Sequence, residues 1–275
     1  MILWQDEPRG ARENMRRDAA LLERLERAGG AAEAVLRVYG FAPPGITLGR
    51  SQSPERELDL DACRREMVEW AVRPTGGRAI YHDEEWTYAL ASRIDDPVWG
   101  GPLRRAYASA SALIVAALGR LGIPAALAPG ARRAGFDRGA ARGAGTAAPC
   151  FASTARHEIV LGDRKLVGSA QRRGAHALLQ QGSILLGPSH RRLGDYLASP
   201  AARARAPRQL ASGAAEAGAP WRGADVAPLA DALLDALGGG ARRVGARAGL
   251  DLLTPPEGAP YAGGRFSHRD APRPS

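Results

Sequence analysis

Lysine is almost missing from this chain: of 38 basic residues in 275, one alone, Lys165, is a lysine. The remaining positive charge is arginine, so wherever charge alone suffices the guanidinium has taken its place. Ammonium is a compact donor that can give up its proton, and guanidinium is not. The surviving lysine therefore points to a place that arginine cannot fill. Cysteine is nearly as scarce: Cys63 and Cys150 form no CxxC pair, which excludes a zinc-finger spacing and a disulfide framework. Aromatic residues make up 5% of the chain. With no RNA-binding aromatic motif and no basic arm, nucleic acid is not an expected partner, although the net charge is +9. Apolar runs stay short of the ~18–20 residues that span a bilayer, so no membrane association is expected. The opening MILWQDEPRG carries acidic residues and lacks the basic-then-apolar layout of a secretory signal, which makes the expected location cytoplasmic.

Several familiar sites are missing as well. Lys165 is followed by Leu166 and not by Ser or Thr, which removes a phosphate-binding P-loop. There is no G-x-S-x-G elbow and no H-E-x-x-H pair. The glycine clusters at 29–30 and 238–240 follow helical segments, so they do not open a dinucleotide-binding helix.

What is present is ordinary globular composition, 45% hydrophobic and 24% charged. A chain of this length buries roughly 70–75% of the surface its unfolded form exposes. Residues 13–28 place Met15, Ala19, Leu22 and Leu25 at helical spacing. Strands are expected over 34–40 and 45–50, parted by Pro43-Pro44. Asp59 is positioned to cap a helix running to about Trp70. Residues 71–83 read as strand, Gly-rich turn, strand; 102–121 as a long amphipathic helix; and 123–128 as a strand. The Gly/Ala/Arg-rich stretch 129–148 reads as an exposed loop. The pattern then predicts a hairpin around Gly162-Asp163, a strand over 177–187 and a short helix over 188–198. Residues 200–224 read as mobile, 225–237 as a last helix and 254–275 as a Pro-rich tail. Strands outnumber βαβ units, which predicts an α/β domain with a central mixed or mostly antiparallel sheet flanked by helices.

Three segments carry chemistry. In RPTGGRAIYHD, Gly76-Gly77 let the backbone approach a ligand and offer N–H donors to an anion, with Arg73 and Arg78 on either side and His82 after them. A hairpin turn with solvated arginines accounts for the same residues. In DRKLVGSAQRR, Lys165 enters a strand whose Gly168-Ser169 step again permits close approach; a lysine on a partly exposed surface hairpin is the alternative. In APCFASTARHEI, Cys150 opens a strand as either a nucleophile or a packed small residue. Cys63, within an amphipathic helix, reads as core.

Taken in order, NMRRDAALLE, VYGFAPPGITLGRSQ, RPTGGRAIYHD, CFASTARHEIVLGDRKLVGSAQRR and QQGSILL resemble the lipoate–protein ligase A family of the biotin/lipoate protein ligase-like superfamily. The resemblance covers about residues 1–198 and implies a catalytic domain there, with residues 199–275 as a variable C-terminal helix and tail packing on it. It also implies that the glycine turn and the Lys165 strand embrace an acyl group.

Cys150 at the head of CFAS looks like the octanoyltransferase branch, which the resemblance implies takes an acyl chain from acyl carrier protein as a thioester. The chain then passes to a lysine of a lipoyl domain or of a glycine-cleavage H-type carrier protein. On that footing Cys150 is the nucleophile and Lys165 donates to the acyl oxygen or relays protons. Arg73, Thr75, Gly76, Gly77, Arg78, His82, Gly168 and Ser169 bind substrate. No cofactor and no metal are implied; ATP and Mg²⁺ enter under the alternative of an ATP-dependent lipoate ligase. A biotin ligase lacks support, because no DNA-binding module and no GRGRxG-like loop is visible. One departure stands out. The family has His-Gly where this chain has Gln181-Gly182, which keeps a catalytically silent module open and moves any acid–base duty elsewhere.

Overall fold

Alternation of side chains along a few long strands sets the architecture. The computed structural model describes residues 1–28, 30, 32–128, 158–221 and 225–253. In chain order its elements are β1 (Ile2–Gln5), α1 (Ala11–Arg27), β2 (Val35–Tyr39), β3 (Gly45–Leu48), α2 (Pro54–Glu57), α3 (Leu60–Arg65), β4 (Glu69–Val72), β5 (Ile80–His82), β6 (Glu85–Arg93), α4 (Leu103–Arg120), β7 (Ala125–Leu127), β8 (Ile159–Leu161), β9 (Arg164–Arg173), β10 (Ala177–Leu185), α5 (Pro200–Gly213), α6 (Ala227–Leu237), β11 (Arg242–Val244) and α7 (Ala246–Gly249), with a 3₁₀ helix over Pro188–Tyr196. One eight-stranded sheet has the order β11-β1-β2-β6-β10-β9-β8-β7, and a three-stranded sheet has the order β4-β3-β5. β1 runs parallel to β2 and β11, and the pairs from β2 through β7 are antiparallel. This is the mixed α/β architecture expected from the sequence.

Each central strand divides its residues between the two sheet faces. Trp86, Tyr88 and Leu90 of β6 join Ile184 of β10 beneath α4 and α6. Ala89 and Ala91 of β6 join Leu179 of β10 on the opposite face, under Leu21, Leu22 and Leu25 of α1. Each of those leucines contributes about 1.5–3 kcal/mol by leaving water. Of the small residues on the α1 face of β6, Thr87 borders the cleft described below. A third cluster joins the three-stranded sheet to the 3₁₀ helix and α5.

Under α1 lies a buried ionic network. Arg37, fully buried, donates to Asp6 at 2.8 Å and to Asp18 at 2.6 Å, while Arg17 donates to Asp6 at 2.7 Å. Two cations and two carboxylates balance, so no charge in it lacks an opposite. Removing one partner of such a pair costs about 3–5 kcal/mol.

The structure corrects three expectations. The helix capped by Asp59, whose carboxylate accepts from Ala62 N–H at 2.9 Å, stops at Arg65 and does not reach Trp70. There Met67 turns left-handed (φ 53°), and Val68 N–H returns to Cys63 O while Met67 N–H returns to Arg64 O. This is a Schellman closure with methionine where glycine is usual, and Trp70 falls in β4. Secondly, residues 200–213, read as mobile, form α5: Ser199 caps it, Pro200 starts it, and Ala202, Ala206 and Leu210 are buried at helical spacing. Thirdly, Lys165 is not on a partly exposed hairpin but 3% exposed. The loop at 129–148, the tail at 254–275 and residues 222–224 lie outside the described residues. Among the described residues no helix is long and apolar enough to cross a membrane.

Candidate active site

The two sheets, α1 and the turn between β4 and β5 enclose one cleft. β4 and β5 do not pair with each other; they flank β3, parallel on one side and antiparallel on the other. The turn 73–79 therefore crosses an end of the small sheet and roofs the main one. The cleft is lined by Met15, Tyr39, Thr47, Arg73, Thr75, Ile80, His82 and Thr87, with Gly168–Ala170 and Gln181–Ser183 as its floor. It is narrow: the room for centres of water-sized molecules is about 20 Å³.

Arg73 shapes the roof. Its guanidinium donates to Gly76 O at 3.0 and 2.8 Å, to Arg78 O at 2.8 Å and to Thr47 Oγ1 at 3.2 Å. Gly77 stands at φ +96°, and a Cβ on Gly49 would come within 2.0 Å of Gly77 O, so the β3 end and the turn touch backbone to backbone. A Cβ on Gly76 would meet nothing within 4 Å. The fold thus requires glycine at 49 and 77 but not at 76, which suits close approach of a ligand there. Gly76→Ala is expected to leave stability within about 0.5 kcal/mol of wild type. Gly49→Ala and Gly77→Ala are expected to cost at least about 1–2 kcal/mol. Thermal unfolding of the three variants tests this, and an equal loss at Gly76 would contradict it.

Beneath the roof runs a chain of buried polar groups. Thr47 Oγ1 lies 2.6 Å from His82 Nε2, and His82 Nδ1 lies 2.7 Å from Glu85 Oε1. Thr87 and Ser183 donate to the same Glu85 oxygen at 2.5 and 3.0 Å. Arg73 can only donate, so Thr47 Oγ1 accepts from it, and the imidazole bridges that hydroxyl to Glu85 through its two ring nitrogens. The ring stacks on Phe41 at 4.0 Å between centroids. The Thr87 and Ser183 hydroxyls thus give their hydrogens to Glu85.

Gln181 links floor to roof. Thr75 Oγ1 donates to its Oε1 at 2.7 Å, and its Nε2 donates to Asp18 Oδ2 at 2.6 Å. Tyr39, its hydroxyl held protonated by complete burial and then by the Asp18 charge, donates to Asp18 at 2.6 Å. Gly182 is required from the other face, where a Cβ would enter the Tyr88 ring at 2.3 Å.

Of the residues singled out in the sequence, Arg73, Thr75, His82, Gly168 and Ser169 line the cleft. Gly76, Gly77 and Arg78 belong to the turn that roofs it. Ser169 turns to the far face and shares a hydrogen bond of 2.8 Å with Tyr88. Lys165 does not line the cleft. It enters β9 three residues before Gly168 and pairs with Glu158 at 2.6 Å. A bulge between β8 and β9 steps the register from Ile159↔Val167 to Val160↔Lys165. Leu166 and Val167 both enter the cluster beneath α4, so Lys165 is turned to the cleft side of the sheet. Cys150 lies outside the described residues. On β9, Arg172 is made more acidic by partial burial first and then by the neighbouring Arg50 cation. The sequence reading did not find Thr47, Glu85, Asp18 or Gly49; the glycine closing GITLG was the one available signal. Among the described residues no cluster of His, Cys, Asp and Glu could hold a metal ion.

Comparison with known proteins places this geometry. A family model described as the lipoyl protein ligase A/B catalytic domain matches residues 10–237. The chain is 40% identical over 173 residues to an octanoyltransferase LipM of Moorella thermoacetica, covering 63% of this chain and 60% of that one. It is 38% identical over 174 residues to the octanoyltransferase LipM of Symbiobacterium thermophilum, covering 63% and 61%. The matches thus span about three-fifths of these relatives' length. Among solved structures, a lipoate-protein ligase A bound with ATP superposes with a TM-score of 0.65 at 20% identity, over 91% of each chain. The bi-partite lipoate protein ligase of Thermoplasma acidophilum, described with its E2 lipoyl domain, gives 0.67 at 19% identity over 91% of this chain and 89% of that one. These likenesses are of fold.

Proposed function

The chain belongs to the lipoyl protein ligase A/B catalytic-domain family, and from that premise we propose that it moves an octanoyl group from acyl carrier protein, through a thioester on Cys150, to a lysine of a lipoyl domain or H-type carrier protein. The observation that carries the reading is the meeting of the 73–79 turn, through Arg73 and Thr75, with Gly168–Ala170 across one cleft, in a chain whose curated relatives are named octanoyltransferases. Burying about seven CH₂ and CH₃ groups of an octanoyl tail contributes roughly 5–6 kcal/mol at ~0.8 kcal/mol each. The lining suits such a tail, since the Thr75, Thr87 and Ser183 hydroxyls already spend their hydrogens on protein acceptors.

In the first step the Cys150 thiolate attacks the donor's thioester carbonyl. A carbon–sulfur bond forms to Cys150, and the bond to the carrier's thiol breaks. In the second step the target amine attacks that carbonyl, the bond to Cys150 breaks, and the amine's proton passes to the departing sulfur. Backbone N–H groups at Gly76-Gly77 suit the oxyanion, and Lys165 serves as donor to it or as proton relay. Arg73, Thr75, Arg78 and His82 shape and line the binding surface with Gly168 and Ser169. The net charge of +9 favours encounter with acidic carriers.

The test is intact mass spectrometry after incubation with octanoyl-acyl carrier protein and no ATP. One octanoyl adduct is expected, removable by neutral hydroxylamine. Octanoylation of a lipoyl domain from free octanoate, dependent on ATP and Mg²⁺ and releasing pyrophosphate, would replace the reading by ATP-dependent ligation, which the turn and Lys165 serve equally well. Absence of both an adduct from the carrier-bound donor and octanoylation from free octanoate would leave a silent binding module.

A further inference from the structure

We infer that Gln181 is a positioning residue, a clasp whose amide ties the Thr75 end of the roof to α1 and so sets the height of the cleft. What the cleft holds rests on the proposed acyl transfer; the clasp rests on geometry alone. Thr75 is fully buried and Gln181 is 6% exposed, so both bonds of the amide are made out of water. Their directions are fixed. Asp18 is ion-paired with Arg37 and already takes two donors, Arg37 at 2.6 Å and Tyr39 at 2.6 Å, so its place in the network is that of an acceptor. Gln181 must therefore present its N–H₂ to Asp18, and its carbonyl is left to accept the Thr75 hydroxyl. A flipped amide would set oxygen against the carboxylate, so a single orientation satisfies both neighbours.

The chain of bonds runs from the turn through Gln181 to Asp18, and from there through Arg37 to Asp6. The roof thereby inherits the rigidity of a network in which every member is buried. At its other end the turn is held by Arg73 to Thr47 of the small sheet. Arg73 fixes the turn's shape, and Gln181 fixes its distance from the main-sheet floor. Gln181 is thus neither a vacant acid–base position nor a sign of a silent site. Neutral imidazole can also accept on one nitrogen and donate from the other, so the histidine usual in the resembling family fits the same two neighbours; glutamine keeps the linkage without titrating.

Hydrogen exchange on the full chain tests the clasp. Arg50 N–H donates to Thr75 O and Arg73 N–H donates to Leu48 O, both at 2.9 Å, so peptides over 46–52 and 71–79 report the turn. Gln181→Leu and Thr75→Val should each speed exchange there about ten- to hundredfold, with β6 and α4 unchanged. Their double variant should be no faster than either, because both remove one linkage. Gln181→His and Thr75→Ser should restore slow exchange, and the acyl-donor KM should rise in the first pair and recover in the second. Unchanged exchange in the turn, or exchange rising equally across the molecule, overturns the clasp. Should Gln181→Leu fail to fold, the Thr75 pair decides alone. A wild-type protein that takes no acyl group but shows this exchange pattern would sink the transfer reading and leave the clasp standing.

Discussion

Cys150→Ser is expected to abolish acyl uptake and transfer, while Cys63→Ser leaves both near wild type. Cys63 is 2% exposed on α3, among Leu58, Tyr196 and Leu197, and it does not line the cleft. Burial first, and the Asp59 charge second, push its thiol up to about 11. At neutral pH only about one molecule in 10⁴ then carries a thiolate there, and the thiolate is the nucleophile. Of the two cysteines, Cys63 is thus poorly suited on chemical grounds. Cys150 lies outside the described residues, and its role rests on its place at the head of CFAS and on the family. Serine offers an alcohol with almost no oxyanion at neutral pH, so the expected loss is at least about a thousandfold. Cys63→Ser sets a hydroxyl in an apolar cluster and should cost about 1–3 kcal/mol of stability. Intact mass and octanoylation rates, with thermal unfolding alongside, separate the two effects. Equal loss of activity in both variants, with both folded, would count against Cys150.

How much of this could be read from the chain depends on the range of each interaction. α1, α4 and the β8–β9 hairpin were legible because their signals are local: helical spacing, and Gly162 at φ +65° in the turn. β6 was not assigned, although Trp86, Tyr88 and Leu90 alternate with Thr87, Ala89 and Ala91. Its inner face is built of small residues, Thr87, Ala89 and Ala91, and a polarity pattern does not register size. α5 was hidden by composition: Ala, Arg and Pro carry little contrast, and Pro207 argues against a helix. Its start, Ser199 followed by Pro200, was nonetheless a readable signal. The site divides in the same way. Gly76–Gly77 and Gly168–Ser169 announced themselves, because close backbone approach has a residue-level signature. The Thr47–His82 bond spans 35 residues and the Thr75–Gln181 bond spans 106. No local pattern specifies either, and both follow only once β3, β5 and β10 are in place.

Lys165→Arg is expected to lower turnover at least about a hundredfold, and burial sharpens the test. On an exposed hairpin the exchange would be nearly neutral for stability. Here the side chain is 3% exposed and its ammonium lies 2.6 Å from Glu158. A wider guanidinium in a packed site should cost about 1–3 kcal/mol, so a drop in Tm alone says nothing about chemistry. The rate therefore has to be read per folded molecule, well below the variant's transition, with circular dichroism as the check. A structural lysine predicts near-normal turnover under those conditions, because arginine preserves the charge opposite Glu158. A catalytic lysine predicts the loss for two separate reasons. Guanidinium donors are held in a rigid plane and do not converge on one acyl oxygen as an ammonium does. Guanidinium also keeps its proton at neutral pH and cannot relay one between sulfur and amine. The bulge that turns Lys165 to the cleft side of β9 gives it a physical route to that duty. Since Lys165 does not line the cleft as it stands, the duty requires the acyl head group to reach toward β9 beyond Gly168. A donor lengthened at the head group, octanoyl-pantetheine against short octanoyl thioesters, should then lose more from Lys165→Arg than the short thioesters do. Wild-type turnover per folded molecule in the arginine variant would remove Lys165 from the mechanism, and with it the reading of the lone lysine.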